Sequence, residues 1–295
     1  MRTWKCIGAV ILMTLFFAPM AFADISIETA ISQQSLNKAD EKAQIEDIIK
    51  NSKLNPKEIL VENKNDLNRS SLSEIESPAE LEYGTPYKVV IPNEDVIPAL
   101  LDGTSLDKSL KESPYYWEVP VLAKRGSDSE PVASFTIAHH ENKWQIVEIG
   151  GYLSPEHSLF SSDPAELAAF LKNKSLINAD SFVHFKLFFQ HMDFLYLDTK
   201  DQEYFIPLIH GRDELYGLRS KTIYTRDEVV AAIGPVLKGG SGPNPLISGQ
   251  PAIASVPTMN NESNQENIGR IALVLFLGAL FSVGAVYGYR KLILR

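Results

Sequence analysis

Between residues 81 and 150, apolar and polar positions alternate with period two over three runs, 115–123, 131–139 and 144–150. Alternation of this kind puts every second side chain on one face of a strand. Trp117, Val119, Val121 and Ala123 share a face of the first run; Ala133, Phe135 and Ile137 share a face of the second. Arg125-Gly-Ser-Asp128 and Glu141-Asn-Lys143 are turn sequences between the runs. The pattern predicts an antiparallel meander with one apolar face, preceded by a strand over 87–91. A short helical turn over 98–103 opens at Pro98 and closes at Gly103, the favoured positions for those residues.

The stretch 152–238 echoes this plan. Asp163-Pro-Ala-Glu166 predicts a helix start, with Asp as cap, Pro at the first helical position and Glu able to reach back. Leu167, Phe170 and Leu171 then share a helix face. Strands are predicted over 181–189, 192–198 and 204–209. Thr225-Arg-Asp-Glu228 is a second capping box, opening a helix through Ala232 that should end near Gly234-Pro235. Trp117-Glu-Val-Pro-Val and Tyr204-Phe-Ile-Pro-Leu run in parallel, so two related modules, 81–151 and 152–238, are an option. The expected fold class is α+β: antiparallel β-meanders with packed helices, plus one C-terminal transmembrane helix.

The flanks read differently. Residues 24–80 are polar and charge-dense, with a helix expected over 38–51 and loose, partly disordered connections around it. Residues 239–269, opening on Gly239-Gly-Ser-Gly-Pro and closing on an Asn- and Glu-rich run, offer little to bury and read as a flexible stalk.

The two ends set the expected topology. Arg2 and Lys5 precede an apolar run to Phe22, and Ala21-Phe22-Ala23 supplies the small-x-small pattern of a cleaved secretory signal over 1–23. Residues 271–289 are uncharged and apolar. At about 1.5 Å per residue they reach about 28 Å as a helix, close to the hydrocarbon thickness of a bilayer. Arg290, Lys291 and Arg295 follow, so the positive-inside bias places the tail in the cytoplasm and the bulk outside. The reading is a single-pass protein with a transmembrane helix over 270–290 and a basic tail over 291–295. Membrane lipid is then one partner, through that helix. Gly284 and Gly288, four apart, form a small-residue face through which two copies can pack as a homodimer.

Composition narrows the function. The chain has 28 basic and 37 acidic residues, a net charge of −9. Arg2, Lys5, Arg270, Arg290, Lys291 and Arg295 lie in the two ends and no acidic residue does, which leaves −15 between them. Nucleic acid is excluded as a partner by that balance. Cys6 is the only cysteine, so a mature chain has no disulfide, thiol nucleophile or thiolate metal site.

Gly84-Thr-Pro-Tyr-Lys-Val-Val, Trp117-Glu-Val-Pro-Val, Pro131-Val-Ala-Ser-Phe-Thr-Ile and Lys143-Trp-Gln-Ile-Val-Glu-Ile-Gly-Gly151 together resemble secreted bacterial α+β domains of the cystatin and peptidase-propeptide plan. The resemblance spans about residues 84–151. It implies a helix packed on an antiparallel sheet and a non-catalytic fold, and it carries no site residues across.

No Gly-x-Ser-x-Gly elbow, phosphate loop, dinucleotide fingerprint or His-Glu-x-x-His helix is present. His184, His191, Asp193 and His210 lie on or beside neighbouring predicted strands and would form a His/carboxylate metal site if the hairpin register brought them together. Otherwise they are hydrogen-bonded strand histidines. Aromatic residues crowd 182–205. Phe185, Phe188, Phe194 and Tyr196 are either a surface for a protein or peptide partner outside the membrane, or core under helices on both faces; the helices over 163–173 and 225–234 would be the covers. No cofactor is expected. The reading is a non-enzymatic binding, sensing or assembly module held outside the membrane. The alternatives are a metal-dependent hydrolase at the His/Asp cluster, and an inhibitor or chaperone of a secreted peptidase.

Overall fold

The computed structural model describes residues 25–67, 70–126, 128–151, 155–187 and 192–238. The secretory signal, the stalk, the apolar run 271–289 and the basic tail lie outside the described residues, as do Phe188 and His191. Among the described residues no helix is long and apolar enough to cross a membrane.

The fold is α+β, built on one nine-stranded, mostly antiparallel sheet. The first meander comprises β1 (Leu81–Tyr83), β2 (Tyr87–Val90), β3 (Tyr115–Arg125), β4 (Asp128–His140) and β5 (Lys143–Gly151). The second comprises β6 (Ser181–Leu187), β7 (Met192–Asp198), β8 (Glu203–Ile209) and, beyond a small hairpin of β9 (Glu214–Leu215) and β10 (Leu218–Arg219), β11 (Tyr224–Thr225). The strand order is β11-β8-β7-β6-β2-β3-β4-β5, with β1 also on β3. The two meanders meet through one parallel pairing of β2 with β6, at Val90 and Phe185. The pattern 115–151 folds as its alternation predicts: β3 pairs β4 with Val119 opposite Phe135, and Glu141 and Asn142, both at positive φ, make the β4–β5 turn.

Helices cover both faces. α1 (Ile27–Gln33), α2 (Lys42–Asn51), α3 (Pro56–Glu62) and α4 (Ser70–Ser73) come from the polar N-terminal segment. α5 (Val96–Asp102) and α6 (Asp107–Lys111) lie between β2 and β3, α7 (Pro155–Ser162) and α8 (Pro164–Asn173) between β5 and β6, and α9 (Arg226–Leu237) closes the described fold. Ile45, Leu60 and Leu72 pack on Trp117, Val119, Val121, Phe135 and Ile137 over the first meander. Leu100, Leu106, Leu110, Val229 and Ile233 cover Phe185, Phe194, Tyr196 and Phe205 on that face of the second meander. Ile27, Ile31, Phe160, Leu167 and Leu171 cover Phe182, Leu195, Leu197, Ile206 and Leu208 on the opposite face. The segment expected to be loose therefore contributes to two of these layers. Two of its helices, α2 and α3, space a few apolar residues among charges, Ile45 and Leu60 being fully buried.

Both predicted helix starts form. The Asp163 carboxylate accepts from the Ala165 and Glu166 amides, and Thr225 with Glu228 makes a reciprocal capping box. The end of α9 differs from expectation: the helix runs past Gly234-Pro235 to Leu237. Pro235 lies in the final turn, where it removes one backbone donor, and Ile233 and Gly234 are buried there.

Candidate functional site

The apolar faces leave one question: what fills the other face of the first meander. Tyr116, Glu118, Ser134 and Thr136 point there, opposite Trp117, Val119, Ala133 and Phe135, and all four are buried. The register carries this face across the seam. Lys186 stands beside Asp193, and His184 lies two residues before Lys186 on β6. α7 packs over it with His157 and Ser158 buried.

The result is a polar layer at the junction of the meanders. Asp193, 3% exposed, is its anchor. His184 Nε2 lies 2.9 Å from its Oδ2 and His210 Nε2 lies 3.1 Å from its Oδ1. One carboxylate thus holds two imidazoles. The His184 ring also stacks on Tyr87 across the seam, with centroids 5.4 Å apart. His157 borders His210 at 6.2 Å between ring centroids, and its Nε2 meets the Ser220 hydroxyl at 2.8 Å. Ser220 also accepts from the Ile209 amide, which ties it to the end of β8. On β3, Glu118 accepts from the Thr136 hydroxyl at 2.9 Å and from Ser134 more closely still.

The charges in this layer act on one another. Burial would raise the Asp193 carboxyl, but the bonds from His184 and His210 and the Lys186 ammonium outweigh it and hold it well below the usual carboxylate range. Burial pushes Glu118 up to about 7, against an ordinary 4.5, with Lys186, Ser134 and Thr136 pulling the other way. Burial would lower the Lys186 ammonium, yet Asp193, Glu118 and Glu148 raise it.

Of the four sequence-predicted metal ligands, the fold brings His184, Asp193 and His210 together and His191 lies outside the described residues. They meet as hydrogen-bond partners, with both Nε2 atoms engaged by the carboxylate. His210 Nδ1 is buried without a hydrogen-bond partner among the described residues. Among those residues no group of three or more His, Cys, Asp or Glu is arranged to hold a metal ion.

The aromatic surface is corrected. Phe185, Phe194 and Tyr196 are at most 1% exposed, lie beneath α5, α6 and α9, and present no surface to a partner. The Tyr196 hydroxyl donates to Glu203 at 2.7 Å, and Glu203 pairs with Arg226. Strands buried on both faces read as near-continuous apolar runs, broken here at His184, Lys186 and Asp193, which accounts for the aromatic crowding.

A recess missed in the sequence opens on the other side of the same seam. Gln33, Gln34, Ser35, Lys38, Asp40, Glu41, Lys88, Tyr115 and Trp117 line about 210 Å³. The Tyr115 hydroxyl and Trp117 Nε1 both donate to Glu41 Oε1, at 2.7 and 2.9 Å. Lys88 Nζ sits 3.8 Å from the Tyr115 ring centroid. No family model, curated protein or solved structure matches the chain.

Proposed function

We propose that the chain is a non-enzymatic binding or sensing module, exported by its N-terminal signal and tethered by its C-terminal apolar run with the folded mass outside the membrane. The observation that supports the non-catalytic part is the closure of the polar layer. His184 and Asp193 are no more than 5% exposed and are bonded to each other, so a substrate has no access to the residues best suited to acid–base chemistry. The accessible polar recess is instead lined by hydrogen-bonding and charged side chains without a nucleophile–base pair. The resemblance to cystatin and propeptide modules agrees with a binding role. Cross-linking intact cells with a membrane-impermeant reagent tests the reading: the expected result is capture of partners outside the membrane, and cross-links confined to cytoplasmic proteins would contradict it.

Convergence of His184, Asp193 and His210 favours one second reading, a metal-dependent hydrolase. It requires a metal to displace imidazole–carboxylate bonds. Metal analysis of the chain purified from membranes separates the two: stoichiometric zinc with a raised melting temperature would support the hydrolase.

A further inference from the structure

We infer that the recess between Glu41 and Lys88 is a binding site for a small zwitterion carrying both an ammonium and a carboxylate group, the chemistry of a free α-amino acid. The inference rests on the binding-module reading and names the ligand class.

Lys88 carries the argument. It lies on β2 opposite Trp117, on the face shared with Val90, where the helical layer over one meander stops and that over the other begins. Its ammonium is half-buried, and its contact among the described residues is the face of Tyr115. No carboxylate there reaches it in an ion pair and no acceptor takes its protons, although burial lowers its pKa. A desolvated ammonium with unused donors favours an anion placed against it.

A simple anion would answer only half of the recess, because the carboxylates of Asp40 and Glu41 line it together with Lys38 and Lys88. Glu41 attracts Lys88 across the recess without meeting it. Its Oε1 is fixed by Tyr115 and Trp117, which orients the carboxylate in advance. A zwitterion satisfies both walls: its carboxylate takes Lys88 and its ammonium takes the acidic side. Gln33 and Gln34 remain for further hydrogen bonds, and Ser35, whose hydroxyl donates to the Ser32 carbonyl, can still accept one. The volume, about 210 Å³, is below the range of sites for drug-sized ligands and suits a molecule of this size.

The test is calorimetric titration of the full-length chain in detergent with each of the twenty free L-amino acids. At least one should bind saturably. Its N-acetyl and carboxamide derivatives, which each lack one charge, should bind at least about tenfold more weakly, as should the amino acid to Lys88→Met, because each change leaves a desolvated charge unpaired. Should that variant fail to fold, the unaltered chain provides the same answer: the bound amino acid should slow acylation of Lys88 by acetic anhydride, read by mass spectrometry. Absence of saturable binding, equal binding of the blocked derivatives, or unchanged acylation of Lys88 would overturn the inference. A chain that still cross-links to partners outside the membrane while ignoring amino acids would overturn the ligand assignment alone.

Discussion

Glu118 shows how a single residue's surroundings convert into a measurable property. Its proton is held to about pH 7 in the folded chain, against an ordinary 4.5. Between those values the folded chain carries one proton more than the unfolded chain, so stability falls as pH rises through that window and then levels. The shift corresponds to about 3 kcal/mol. Glu118→Gln, which keeps an acceptor for Ser134 and Thr136, should flatten that decline between pH 5 and pH 8 in urea titrations. An unchanged slope would mean that Glu118 is hydrated. Asp193 acts in the opposite sense. Held ionised, it contributes stability above the ordinary carboxylate range that is lost as pH falls through and below it. Asp193→Ala should destabilise the chain by about 3–5 kcal/mol, because two buried imidazoles lose their shared partner. Phe194→Ala should cost a similar ~3–5 kcal/mol through the cavity it leaves. A loss below about 1 kcal/mol in the same unfolding measurement would return Phe194 to the surface. At this scale the sequence was partly legible: it brought His184, Asp193 and His210 to adjacent strands. It left open whether they bind a metal or each other, since that turns on side-chain geometry. Lys88 and Glu41 were invisible, because they come from an N-terminal turn and a strand 47 positions apart.

At the scale of elements, local rules were enough wherever they acted alone. The Asp163 N-cap, the Thr225 capping box and the turn at Glu141-Asn142 form where their side chains dictate. Thr225→Ala should cost about 1 kcal/mol, read from urea midpoints at constant slope. No change there would show that α9 is held by Val229 and Ile233 alone. Elements whose signal is weak were missed. α1, α3 and α7 are seven or eight residues long, and each becomes stable only by covering a sheet it meets far along the chain. The end of α9 was set too early for the same reason, since packing holds its last turn despite Pro235. Gly151 marks a place where a strand has no room. A Cβ there would stand 2.8 Å from the Ser134 hydroxyl and 3.4 Å from Glu118. Gly151→Ala should therefore lower stability and disturb the polar layer together, detectable as a changed pH dependence alongside a lower melting temperature.

Over the whole molecule, the first meander was legible from alternation and the second from its apolar, aromatic-rich runs, but their joining was not. A single parallel pairing at Val90 and Phe185 fuses them, and pairing between distant strands leaves no periodic trace in sequence. Two polar features of the described fold meet at that seam. On one face lies the closed layer around Asp193, and on the other the recess between Glu41 and Lys88. The proposed export and tethering would place the recess where an extracytoplasmic ligand could reach it. Because Cys6 is the only cysteine and precedes the proposed cleavage point, the topology can be read with single introduced thiols. In a Cys6→Ser background, Ile177→Cys sits at an exposed position, 57% accessible, and Arg295→Cys at the last residue. Labelling of intact cells with a membrane-impermeant maleimide should modify the thiol at 177 and spare the one at 295 until the membrane is opened. Equal labelling of both, or labelling of 295 alone, would contradict an exported module anchored by its carboxyl-terminal helix.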